Sequence, residues 1–157
     1  MIYGLAGVQA LAAAKIQAVP GVGKVYTYGR LVVHEADILP AMVTDGKLNY
    51  WCCTQAQAQP QTIDRKPGRW AITTYNLDVH AFYALSESGA SEQDFVGLVC
   101  AVIADFETGD KKFNLPEGSD VIEAGPLQWR DADARMIVNV LCHHARLALT
   151  VTEQTEG

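Results

Sequence analysis

Apolar residues recur along this chain with two different periods, and the changes of period mark out its elements. From Ile2 to Ala18 an Ala-rich stretch places Leu5, Val8, Ala12 and Ile16 at helical spacing, and the pair Pro20-Gly21 ends it. Lys24 to Tyr28 alternates as a short strand. Glu35 to Val43 carries the stripe Ile38, Leu39, Met42 and Val43, but Pro40 limits it to one or two helical turns before the turn Thr44-Asp45-Gly46. Lys47 to Gln57, with Tyr50, Trp51 and two cysteines, reads as a strand. Arg69 to Leu85 is the clearest strand: Tyr75, Leu77, Val79, Ala81, Tyr83 and Leu85 face one way, and Thr74, Asn76, Asp78 and His80 the other. The polar stretch Ala58 to Gly68 between these strands reads as a long hairpin loop with two prolines.

A second helix begins at Ser91, with Asp94 three residues on as an approximate capping box. Phe95, Val99, Val102 and Phe106 recur at helical spacing, backed by Leu98 and Ile103, up to Thr108-Gly109-Asp110. Val121 to Asp133 reads as an irregular strand interrupted by Gly125-Pro126. The last strand, Val140 to Thr152, has Leu141, Ala145, Leu147, Leu149 and Val151 on one face and Cys142, His144, Arg146, Thr150 and Thr152 on the other. Strands adjacent in sequence favour pairing, so the expected fold is α+β: a mostly antiparallel sheet of about four to five strands with helices packed on one face. Neither a repeat nor a linker divides the chain, which predicts one domain over residues 1–157.

Composition narrows the function. The 157 residues are 49% hydrophobic and 19% charged, a globular profile. A formal charge of -6 argues against general or sequence-specific nucleic-acid binding, which needs clustered cations to displace counterions from phosphate. No apolar run reaches the roughly 18 residues of a membrane span, and a signal peptide is not expected. The charge is unevenly spread. From Glu87 to Asp133 eleven acids stand against Lys111, Lys112 and Arg130, whereas Arg65, Lys66 and Arg69 sit together. Cys52, Cys53, Cys100 and Cys142 lack a disulfide-framework spacing and read as small hydrophobes in a reducing compartment.

The candidate chemistry is thin. Pro20-Gly-Val-Gly-Lys24 resembles a phosphate loop only superficially, since Ala18 and Val25 occupy positions where Gly and Ser or Thr are needed. Cys142 and His144 share one strand face and His143 the other, so the three cannot converge on a metal; His143 reads as a hydrogen-bonded core histidine. Asp131 and Asp133 share a face but are flanked by Arg130 and Arg135, and Asp78 with His80 has the spacing of an acid/base couple or of two residues on a wet face. Trp51, Trp70 and Trp129 are anchors for a core or an interface. No catalytic, metal or cofactor site is expected. The rival readings are a cytosolic hydrolase using Cys142 or Asp78 and His80, and a small-ligand domain using the sheet face opposite the helices.

Four stretches taken together resemble the tail terminator (tail completion) proteins of long-tailed bacteriophages. They are the helix ending in Ala18-Val-Pro-Gly-Val-Gly-Lys-Val-Tyr-Thr-Tyr28, the short apolar helix Ile38 to Val43 before Trp51, the strand Arg69-Trp70 to Tyr83 followed by a capped helix, and the closing strand Val140-Leu-Cys-His-His-Ala-Arg-Leu-Ala-Leu-Thr-Val151. The resemblance implies a non-enzymatic virion protein, assembled in the host cytoplasm. It implies a homo-oligomer, a six-membered ring, on the head-proximal end of the tail, with the major tail tube protein and a head–neck connector protein as partners. A stopper or other neck protein at the same joint is the near alternative. No catalytic or metal motif carries over. A ring joins unlike surfaces head to tail, and the Arg65, Lys66, Arg69 stretch and the acidic 87–133 region are the expected pair.

Overall fold

Two long strands organise the fold. In the computed structural model, which describes residues 4–27, 43–44, 47–55, 61–65, 70–86, 90–108, 121–137 and 140–156, β5 (Trp70–Ala84) and β8 (Val140–Glu156) pair antiparallel from Trp70 with Glu156 to Ala84 with Cys142. The other edge of β5 is shared by β4 (Gln61–Arg65), opposite Trp70 to Thr74, and β3 (Lys47–Gln55), opposite Leu77 to Tyr83. The far edge of β8 is shared in the same way by β6 (Val121–Ala124) and β7 (Gln128–Ile137). β1 (Lys24–Tyr26) runs parallel to β3, and β2 (Val43–Thr44) runs antiparallel to it. The continuous path β1-β3-β5-β8-β6 is the expected mostly antiparallel sheet.

Helices α1 (Gly4–Gln17) and α2 (Ala90–Thr108) cover one face. Val8, Ala12, Ala13 and Ile16 of α1 join Phe95, Val99, Val102 and Phe106 of α2 in one core. That core meets Tyr75, Leu77, Val79 and Ala81 of β5 and Ala145, Leu147, Leu149 and Val151 of β8. The helical and the alternating patterns therefore interlock as the sequence requires: period 3.6 packs on period 2.

The chain between α1 and β1 is held tightly. Gly21 adopts a left-handed φ of 91°, open to glycine at little cost. Buried Asn49 of β3 accepts a hydrogen bond from the Gly23 N–H at 3.2 Å and donates to the Gly21 carbonyl at 2.9 Å. Gln17, in the last turn of α1, donates to the Gly23 carbonyl and accepts from the Val25 N–H. Pro20-Gly-Val-Gly-Lys24 is thus a structural splice between a helix and a sheet edge.

Three expectations need correction. The stretch 58–68 is not all loop, because Gln61 to Arg65 form β4; Thr62 and Ile63 supply β propensity and the projecting end of β5 supplies the ladder. Ser91 is not the cap of the second helix, which already includes Ala90. Its hydroxyl oxygen instead accepts the Ser86 N–H and lies 3.0 Å from His143 Nε2. Nor is the sheet face opposite the helices merely wet. Leu48, Tyr50, Cys52, Phe82 and Cys142 are buried there as a second apolar cluster, with the Tyr50 and Phe82 rings stacked at 4.6 Å. Of the short helix expected over Glu35 to Val43, residues 35–42 lie outside the described residues, as do Lys66 and Arg69, whereas Val43 is drawn into β2 by pairing with Leu48.

Candidate functional site

A group of interacting titratable side chains lies on that second face. Register places Tyr50, Phe82, His144 and Asp133 opposite one another on β3, β5, β8 and β7. A register shift between Trp129 and Asp131 makes this row possible. Residues 129, 131 and 133 have the same parity and in an unbroken strand would share a face. The bulge leaves Trp129 opposite Leu147, against the helix-side core, and turns Asp131 and Asp133 to the other face, opposite Arg146 and His144.

Three groups then form a chain across three strands. Asp133 Oδ1 lies 2.7 Å from His144 Nδ1, and His144 Nε2 lies 2.9 Å from His80 Nδ1. His144 is fully buried, with Phe82 at 4.8 Å and the His80 ring at 5.2 Å. Burial pushes both imidazoles below their ordinary value; for His80 the neighbouring His144 adds to this, and for His144 the bond to Asp133 opposes it. Two neutral rings have one N–H each, which fixes the direction of the chain. His80 Nδ1–H donates to His144 Nε2, and His144 Nδ1–H donates to the Asp133 carboxylate. The bond from His144, followed by that from Arg135, holds Asp133 below the usual carboxylate range.

The expected pairs are rearranged accordingly. His80 bonds His144, while Asp78 acts on it only as a nearby charge. Asp131 pairs with Arg146 at 3.1 Å and Asp133 with His144 and Arg135, so the two carboxylates share a face without acting as a pair. Cys142 and His144 share a face and His143 takes the other, as strand geometry requires. His143 is half-buried beside Phe95 and bonds Ser91. Cys142 donates from Sγ to the Arg135 carbonyl, and burial pushes its thiol up to about 11, the reverse of what a nucleophile needs. On the helix side, buried Glu153 accepts from the Tyr75 hydroxyl at 3.1 Å and the Gly4 N–H at 3.4 Å. Arg65 ends β4, in register with Trp70. Sequence reasoning missed the Asp133–His144–His80 chain because its signal lies in register; the only visible hint was that His80 and His144 both sit on the polar parity of their strands.

Chemically the chain is a cross-strand lacing that ties β5, β8 and β7 together. It makes stability pH-dependent with a definite sign. The folded histidines bind protons less readily than the unfolded ones, so unfolding takes up protons as pH falls through the ordinary imidazole value of 6.5. Protonating His144 at Nε2 also sets two N–H donors against each other. The lowered Asp133 acts in the same sense further into acid, its contribution being lost as pH falls through its folded value. Thermal melts are expected to show a transition temperature falling from about pH 8 to about pH 5; a flat profile would contradict the neutral chain.

No family model matches the chain, and no curated protein matches it. Among solved structures it is similar to a chain from the virion of a native gene transfer agent (GTA) particle. The TM-score is 0.42 and the sequence identity 16%, over 99% of this chain and 100% of that one. A likeness of this degree establishes no role, so the functional reading rests on the residues themselves.

Proposed function

We propose that this protein is a structural component of a phage or phage-like virion, specifically a tail terminator. In this reading copies of the chain form a ring on the head-proximal end of the tail tube, stop its polymerisation and present a docking surface to the neck. The observation that carries the reading is one of order. Three of the four stretches on which the sequence resemblance rests coincide with successive elements: α1 running through the Gly21–Gly23 splice into β1, the long strand β5 followed by α2, and the closing strand β8.

The side-chain chemistry is compatible with a protein that works by binding. The Cys142 thiol is buried and held protonated, and His80 and His144 bond each other and Asp133 across strands. The test is electron microscopy of the protein with tubes of its cognate major tail tube protein. Rings seated at one tube end are expected; uncapped tubes beside dispersed monomers would overturn the proposal.

A further inference from the structure

One long edge of the sheet is open. Strand β7, 10 residues long, pairs with β8 on one side and with no described strand on the other. From Asp131 to Met136 every residue is exposed, so both faces of the strand are bare along this stretch. The Leu85 N–H donates to the Leu141 carbonyl, which turns the Leu141 backbone toward β5 and away from β7. Opposed residues of an antiparallel ladder point inward together or outward together, so Met136, opposite Leu141, directs its N–H and C=O outward. Direction alternates along the strand, and Ala134 and Ala132 therefore point theirs outward too. Native edges are commonly blunted by proline, lysine or a bulge. Gln128–Ile137 holds no proline or lysine, and its bulge between Trp129 and Asp131 precedes this stretch.

We propose that the open edge of β7 pairs antiparallel with the same edge of a second copy of the chain, about a two-fold axis at Ala134. Outward residues must face outward residues, which puts the axis at a residue rather than between two. The charges of β7 then select the register. An axis at Ala132 sets Asp131 against Asp133, one at Asp133 sets that carboxylate against itself, and one at Arg135 sets two guanidinium groups together. The axis at Ala134 opposes unlike charges: Asp133 of each copy faces Arg135 of the other. Arg135 bonds its own Asp133 through Nε at 3.3 Å, and its guanidinium carries further N–H donors for the bond across the axis. Both side chains are about half exposed and open to that contact.

The same register covers an apolar groove. On the helix-side face, Ala132 and Ala134 border a groove of about 320 Å³ whose lining includes Leu85, Val96 and Trp129. Ala132 of each copy faces Met136 of the other, and Met136, at 61%, is the most exposed of the large hydrophobics described. Its unbranched thioether side chain enters beside the alanines, whose small side chains leave room. The inference goes beyond the ring reading. A two-fold contact closes on itself after two copies, so it belongs to the free protein and leaves the ring to other surfaces.

The test is sedimentation velocity of the full chain from about 1 to about 200 µM, where a dimer with Kd on the order of 10 µM is expected for so short a contact. Ala134→Pro removes the outward N–H at the axis, and Arg135→Glu sets like charges opposite Asp133. Each is expected to weaken dimerisation at least about tenfold, with the circular dichroism spectrum of the wild type retained. Register is read by oxidation in a Cys100→Ser background, because Cys100 is exposed. Ala134→Cys meets itself across the axis and is expected to give a disulfide-linked dimer. Ala132→Cys lies about 13 Å from its counterpart and is expected not to. A chain that stays monomeric over the whole range overturns the proposal. So does an assembly that both edge variants leave intact, that fails to link through Ala134→Cys, or that links equally well through Ala132→Cys. Tube capping is scored separately: a dimer that never caps tubes overturns the ring reading and leaves this contact standing, and capping by a strictly monomeric chain does the reverse.

Discussion

Gly23→Ala is expected to destabilise the fold by about 3 kcal/mol or more, although it adds a single methyl group. A Cβ at this position would lie 1.9 Å from the backbone oxygen of Asn49, 2.8 Å from its carbonyl carbon and 2.9 Å from its Cγ. The nearest of these atoms cannot swing aside as a side-chain end would, because they are backbone of β3, which is laddered to β5 at Asn49 and Tyr83. Relief requires moving the approach to β1 away from β3. That movement strains both Asn49 hydrogen bonds, to Gly23 and Gly21, and buried polar groups left unpaired cost about 1–3 kcal/mol each. For a chain of this size the expected fall in melting temperature is roughly 10 °C, measured at one fixed protein concentration. A variant melting within a degree or two of wild type would show that the splice between α1 and β1 has slack that the geometry denies.

Trp51→Ala is expected to cost about 3–5 kcal/mol, the range for truncating a large buried aromatic. Trp51 is 1% exposed and belongs to the core beneath the helices. Its register partner on β5 is Ala81, and α1 contributes Ala12 and Ala13 to the same core, so small residues make room for the indole. Those alanines have nothing with which to refill the space, and the cavity stays open. Met136→Ala is the control: at 61% exposure it is expected to change stability by less than about 0.5 kcal/mol. Chemical denaturation of the three proteins checks the ordering, and similar midpoints for the Trp51 and Met136 variants would contradict the packing described.

Much of the scaffold was legible because its signals are local. The stripe Phe95, Val99, Val102, Phe106 has one reading as a helix face, and the alternation from Tyr75 to Ala81 has one reading as a half-buried strand; both bury the expected side. The features that escaped are those for which pairing decides. β4 has only Thr62 and Ile63 to recommend it among polar residues and breakers, and it exists because β5 projects past β3. Phe82 and Cys142 fall on the polar parity of their strands, and only the neighbouring strand, which brings Tyr50 beside Phe82, turns that parity into a second core. The Asp133–His144–His80 chain depends on a one-residue bulge at the start of β7, which no spacing in the sequence announces. Ser91 has the residue type of a cap, yet its hydroxyl is engaged by Ser86 and His143.

Arg65, Lys66 and Arg69 stand close together in a chain of net charge -6, and Arg65 closes β4 in register with Trp70.

The most direct measurement of the central claim is electron microscopy of the purified protein added to preassembled tail tubes, with tube length and tube ends scored. The account predicts a ring of density on one end only and arrested elongation when tube protein is supplied afterwards. Tubes that keep growing with both ends bare, in the presence of folded and monomeric protein, would contradict it.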